Sequence, residues 1–158
     1  MKTVCYFSKL LLLIVVIVSC KQHPKLTAAD ADILHQNQDQ LTQIIIYDVF
    51  TPPVASRIYV YSSLASYEAI RFAKKDAPSI AEKLHGFAAM PQPEKGKKYN
   101  YTLAATKAFF TVVHKVVFSL DSLKSYEENT YADFKEAMDD STYARSVAFG
   151  EAVAKVIL

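Results

Sequence analysis

The chain has 158 residues, 51% hydrophobic and 22% charged, with three Gly, six Pro and no Trp; this excludes a disordered, collagen-like or disulfide-built protein and favours one compact domain with an apolar core. Eighteen Lys and Arg face sixteen Asp and Glu, but Lys2 and Lys9 lie in a removable leader, and without them the charges balance. A near-neutral body lacks the basic excess that neutralises phosphates, so no nucleic-acid partner is expected.

The leader comes first in the chain. Lys2 gives a basic start, residues 10–18 are an unbroken apolar run, and Ser19-Cys20 closes it, which is the anatomy of a signal peptide over 1–19. Nine apolar residues make a helix of roughly 14 Å, about half of a bilayer's hydrocarbon thickness, so a permanent span is not expected. Ile17-Val18-Ser19-Cys20 resembles the lipobox of bacterial lipoproteins, which implies cleavage before Cys20 and acylation of its thiol. The other cysteine, Cys5, leaves with the leader, so the mature chain has no internal disulfide to form and Cys20 is expected to be the lipidation site. Residues 20–26 then read as a polar tether, and the partner it implies is a membrane, met through a lipid anchor on the periplasm-facing side of a bacterial cell envelope.

From 27 onward apolar residues recur at three and four, which predicts an all-α bundle of about five helices. The first runs over 27–50, capped at Thr27 and burying Ile33, Leu34, Leu41, Ile44, Ile45 and Val49. Thr51-Pro52-Pro53 stops it and starts a second over 52–74, with Thr51 as cap and Val54, Ile58, Tyr61, Leu64, Ala65 and Ile70 inward. A short helix to Leu84 ends at Gly86, and residues 90–98, with two Pro, one Gly and three Lys, read as a solvated loop. Asn100 opens a third long helix through Phe118, apolar on more than one face and therefore central. Asp121 or Ser122 caps a more polar helix to Met138, and Asp140-Ser141 caps the last, over 142–158. That helix keeps its apolar phase through Leu158, which suggests an incomplete domain whose last helix exposes apolar faces and drives self-association.

Few residues announce chemistry. His23, His35, His85 and His114 have no second ligand at metal-binding spacing. His114, among valines, has the strongest claim to a low-dielectric site. Asp48, Arg57 and Glu68 flank the Pro-Pro corner on otherwise apolar helices and read as a structural ion pair fixing it. Tyr59, Tyr61 and Tyr67 read as core tyrosines with bonded hydroxyls. Lys95-Gly96-Lys97-Lys98 is a basic loop able to meet anionic lipid, with solvation as its default. Gly86, Gly96 and Gly150 make no phosphate cradle, and Asn100-Tyr101-Thr102 is a weak glycosylation triplet.

The stretch 46–70, IYDVFTPPVASRIYVYSSLASYEAI, resembles the helix-corner-helix near the start of exported bacterial proteins of the vanadium-dependent haloperoxidase and type 2 phosphatidic acid phosphatase superfamily. Residues 146–158, SVAFGEAVAKVIL, resemble the helix preceding their catalytic half. The resemblance implies helical bundles that grip phosphate or vanadate with Lys and Arg, while one His attacks phosphorus or ligates vanadium and another handles protons. The Lys…Arg-Pro, Pro-Ser-Gly-His and Ser-Arg…His motifs are absent: Arg57, Arg71 and Arg145 precede Ile, Phe and Ser. No catalytic, cofactor-binding or metal residue carries over, and vanadate belongs to a full-length parent.

The expectation is therefore that 27–158 is the non-catalytic N-terminal scaffold of a lipid-anchored phosphatase or haloperoxidase-like enzyme whose partner is a missing C-terminal catalytic region. The alternative is a complete small helical envelope lipoprotein acting as a binding module.

Overall fold

The computed structural model describes residues 30–158. The leader, Cys20, the tether, His23 and the Thr27 start of the first helix lie outside the described residues. Five α-helices form the bundle: α1 (Asp30–Tyr47), α2 (Pro52–Ile70), α3 (Tyr101–Val116), α4 (Asp121–Glu136) and α5 (Asp140–Ile157). Two three-residue 3-10 turns, Arg71–Ala73 and Ala81–Lys83, link α2 to the loop before α3. There is no strand among the described residues, and the all-α bundle of five helices is as the periodicity predicts.

α1 buries Ile33, Asn37, Leu41, Ile44 and Ile45, a stripe at helical spacing with one amide in it. Its end departs from expectation. Phe50 N–H donates to Ile45 O and Val49 N–H to Ile46 O, both at 3.2 Å, the paired bonds of a Schellman ending with Val49 as the left-handed residue (φ 54°). Phe50 and Ile45 pack in one cluster, the hydrophobic contact that accompanies this motif. The reversal swings Val49 outward, where it is 83% exposed, so it is not a core residue. Thr51 is the cap position of α2, but its carbonyl, not its hydroxyl, does the work, accepting from Val54 and Ala55. Two prolines fill the first turn of α2, where their missing N–H groups cost nothing.

α2 buries Ile58, Ser62, Leu64, Ala65, Glu68 and Ala69. Val54 and Tyr61, expected inside, are 44% and 41% exposed, because the inward stripe runs through Ser62 and Glu68 instead. The α-helix stops at Ile70 and tightens into a 3-10 turn rather than continuing to Lys74. The short helix to Leu84 is a 3-10 turn, started by Ser79 Oγ accepting from Glu82 N–H. Asn100 caps α3 by accepting from Leu103 N–H at 2.8 Å. α4 begins one residue before the expected caps: Asp121 lies in its first turn, and Leu120 holds the cap position without a side-chain bond. α5 is capped by Asp139, not Asp140-Ser141, its carboxylate accepting from Thr142 N–H at 2.9 Å.

α3 is central: its buried residues enter all three apolar clusters, with α2 and α5 in the first, α1 and α2 in the second, and α1 and α4 in the third. Cross-links set the directions. Tyr59 Oη donates to Thr42 Oγ1 and Ser63 Oγ to Gln38 Oε1, so α1 and α2 run antiparallel. Asn37 pairs with Thr106 while Asp48 reaches Phe118, so α1 and α3 run parallel. Residues 30, 70 and 100 thus share one end of the bundle, and the 48–52 corner shares the other with 117–120.

Large exposed apolar side chains gather at that corner end: Ile46, Tyr47, Val49, Val54, Phe118 and Leu120. Of α5 and its caps, only the C-cap residue, Leu158, is a large exposed apolar side chain, at 56% exposure. The expectation that the last helix presents the apolar surface is therefore corrected, since Phe149, Val153, Ala154 and Ile157 are buried against α2 and α3.

Candidate functional site

Three polar constellations mark where chemistry would have to occur. The first is at the corner. Asp48 Oδ2 accepts from the N–H groups of Phe118 (2.9 Å) and Ser119 (3.2 Å), and Oδ1 from Ser119 Oγ (2.5 Å). Burial pulls this carboxyl up, but the Ser119 hydroxyl and the two backbone donors outweigh it and hold Asp48 below the usual aspartate range. Asp48 is thus a strut from the end of α1 to the α3–α4 turn. Arg57 is exposed on α2 with no partner among the described residues, so Asp48, Arg57 and Glu68 are not brought together, and the expected ion pair among them does not form.

The second constellation is centred on Glu68, whose side chain is fully buried. Oε1 accepts from Ser79 Oγ (3.1 Å), Ile80 N–H (2.7 Å) and Ala81 N–H (2.9 Å), while Oε2 lies 3.0 Å from Arg71 Nε. Arg71 is one helical turn on; it also donates to Ala77 O (3.3 Å) and lies 4.1 Å over the Phe72 ring. Among the described residues Oε2 makes no hydrogen bond and meets only the Arg71 charge, while the three bonds to Oε1 fix the course of 77–81.

The third is a cleft of about 280 Å³ between α3 and α4. His114 Nε2 meets Glu127 Oε1 there at 2.5 Å, with Asp121, Lys124, Glu128, Leu120 and Tyr131 completing the walls. His114 is exposed, its side chain 44% accessible, so the low-dielectric site expected for it is absent: its valine neighbours in sequence point to other faces of α3. Burial pushes the Tyr131 phenol well up, and its hydroxyl has no hydrogen-bond partner. The pair is a polar clasp between α3 and α4, with the Tyr131 phenol in the same wall.

The remaining candidates are dispersed. His35 and His85 are exposed. Tyr59 and Tyr67 use their hydroxyls as struts, to Thr42 Oγ1 and Pro78 O, while Tyr61 faces solvent. Asn37, which sequence reading passed over, joins three helices: its amide donates to Thr106 Oγ1 (3.1 Å) and accepts from Tyr126 Oη (2.9 Å). Its signal was its place four residues after Ile33 and four before Leu41.

No group of three His, Cys, Asp or Glu able to hold a metal occurs among the described residues. The cationic side chains do not fit an oxyanion clamp either. Arg71 is committed to Glu68, Arg145 donates to Lys98 O and to Ser141 Oγ while lying over Tyr99, and His114 shares its cleft with Lys124 but with no arginine.

No protein-family model matches the sequence, and no curated protein matches it. Among solved structures, one described as the first bacterial vanadium-dependent iodoperoxidase superposes with a TM-score of 0.72 at 35% sequence identity. The match covers 80% of this chain and 30% of that one, so the chain spans less than a third of that protein. At this identity and TM-score the described bundle shares the fold of the matched part of that iodoperoxidase, in line with the haloperoxidase side of the resemblance read from 46–70.

Proposed function

We propose that this chain is the non-catalytic N-terminal scaffold of a haloperoxidase-like enzyme, held at the envelope by acyl chains on Cys20 and facing the periplasm. The observation that carries the reading is the iodoperoxidase match at 35% identity to a third or less of that protein. Oxyanion binding then belongs to a catalytic region outside these residues, and vanadate to the assembled enzyme. The exposed apolar corner around Ile46, Val49 and Phe118 suits a surface that such a region covers.

The test compares this chain with its extended reading frame for vanadate-supported iodide oxidation and for phosphomonoester hydrolysis. The short chain should be inert in both assays and the extended protein active in one. Turnover by residues 1–158 alone would overturn the scaffold reading.

A further inference from the structure

The end of the bundle opposite the corner differs from it in chemistry. It is built from the segment between α2 and α3, where Lys74 and Lys75 follow the first 3-10 turn, Lys83 closes the second, and Lys95, Lys97 and Lys98 fill the loop before α3. All six are exposed, and none has an ion-pair partner among the described residues. Against them the segment carries three carboxylates, Asp76, Glu82 and Glu94. Ile80 and Leu84, four residues apart around the second 3-10 turn, are 43% and 47% exposed. Exposed aliphatic side chains set among unpaired lysines are the composition of a surface that lies on a charged bilayer, with the ammonium groups at the phosphates and the apolar tips below them.

The topology puts this segment at the tethered end. α1 and α2 are antiparallel, with Gln38 against Ser63 and Thr42 against Tyr59, so Asp30 lies at the level of Arg71. α3 runs parallel to α1, so Asn100 is at that level too. Nine residues separate Cys20 from Asp30, a reach of at most about 36 Å. Of the other acidic residues at this end, Asp30 and Asp32 on α1 and Asp139 and Asp140 on α5 stand at helix starts, where the positive end of the helix dipole offsets them, while Asp133 and Glu136 close α4 at the same level, outside the 71–98 segment.

We propose that residues 71–98 are a docking face for an anionic phospholipid surface, so that the bundle stands on the membrane on its lysine-rich end with the apolar corner pointing away. The orientation rests on the lipid-anchor reading of Cys20; the affinity of the face for anionic lipid does not.

The test uses the exported mature chain, with the mass of its N-terminal peptide reporting acylation. Reconstituted in vesicles of about one-third phosphatidylglycerol in phosphatidylcholine, amides of 71–98 should exchange with solvent at least about tenfold more slowly than in pure phosphatidylcholine. That protection should vanish in about 0.5 M salt and in the Lys95→Glu/Lys97→Glu/Lys98→Glu variant, and weaken in Ile80→Ser/Leu84→Ser, with α3 exchange unchanged as the control for folding. Equal exchange in the two lipids, or protection confined to 46–54, would overturn the proposal. An N-terminal mass without acyl groups would remove the anchor reading alone; the same chain should then still float with the phosphatidylglycerol vesicles and not with the neutral ones, and failure to do so would remove the docking face.

Discussion

Val49 occupies the one position of the α1 ending where glycine is usual. Its φ of 54° is a left-handed conformation that a β-branched residue enters at a cost of roughly 1–2 kcal/mol, and its side chain, 83% exposed, recovers little by packing. Val49→Gly should therefore stabilise the protein by about 1 kcal/mol, read as a higher denaturant midpoint at unchanged slope. Glu68 is the opposite case. Glu68→Ala removes the acceptor of two backbone N–H groups and Ser79 Oγ and leaves Arg71 without its carboxylate; a loss of about 3–5 kcal/mol is expected in the same measurement. Glu68→Gln, which keeps the Oε1 acceptor, should lose less. At this scale the sequence is read only in part. That Glu68 is buried and paired follows from a charge on an apolar helix, but its partner is Arg71, three residues on, rather than a residue across the corner. The donors that complete it come from 79–81, a segment whose path no helical period foretells.

Between elements, α5 comes close to α3 at Gly150. A Cβ built on Gly150 would lie 2.3 Å from Ala104 O and 3.0 Å from Lys107 Cβ, and Ala104 is fully buried. The obstructing atom is helical backbone and cannot turn aside, so Gly150→Ala must push the two helices apart. A destabilisation of about 1–3 kcal/mol is expected, checked by thermal or urea unfolding. Sequence shows Gly150 as no part of a phosphate motif; that it is a contact point depends on which α3 face meets α5. The helices themselves are legible because their apolar spacing and breakers are local, and so are their limits to within a few residues. Misplaced ends arise where a tertiary bond competes: Asp139 rather than Asp140 caps α5 because its carboxylate also accepts from the Ser141 and Thr142 hydroxyls. α4, the most polar helix, is held by buried Leu123 and Phe134, by the Tyr126–Asn37 bond and by the His114–Glu127 clasp.

At the scale of the whole molecule, two of the described carboxylates contribute to acid sensitivity. Hydrogen bonds from Ser141 and Thr142 hold Asp139 far below the usual range; for Asp48, burial raises the carboxyl but the bonds from Ser119 and Phe118 prevail and lower it. A carboxyl whose folded pKa is depressed stabilises the protein above its unfolded pKa of about 3.9, and that contribution is lost as pH falls through the folded value. The melting temperature should therefore drop as pH is lowered from about 4 towards 2, and Asp48→Asn should lower it at neutral pH while flattening that slope. Fold class and the central place of α3 are readable from the chain because burial follows periodicity. The distribution of surface character between the two ends is not, since it depends on helix direction, which only cross-links such as Thr42 with Tyr59 reveal.

The antiparallel step from α1 to α2 has a consequence for reach. α1 has 18 residues, a rise of about 27 Å, so a catalytic region seated on the corner would sit roughly that far above the phospholipid headgroups. On the proposed docking orientation, a pocket mounted at that height would open into the aqueous compartment, and its reactants would arrive by diffusion through water rather than sideways out of the acyl layer.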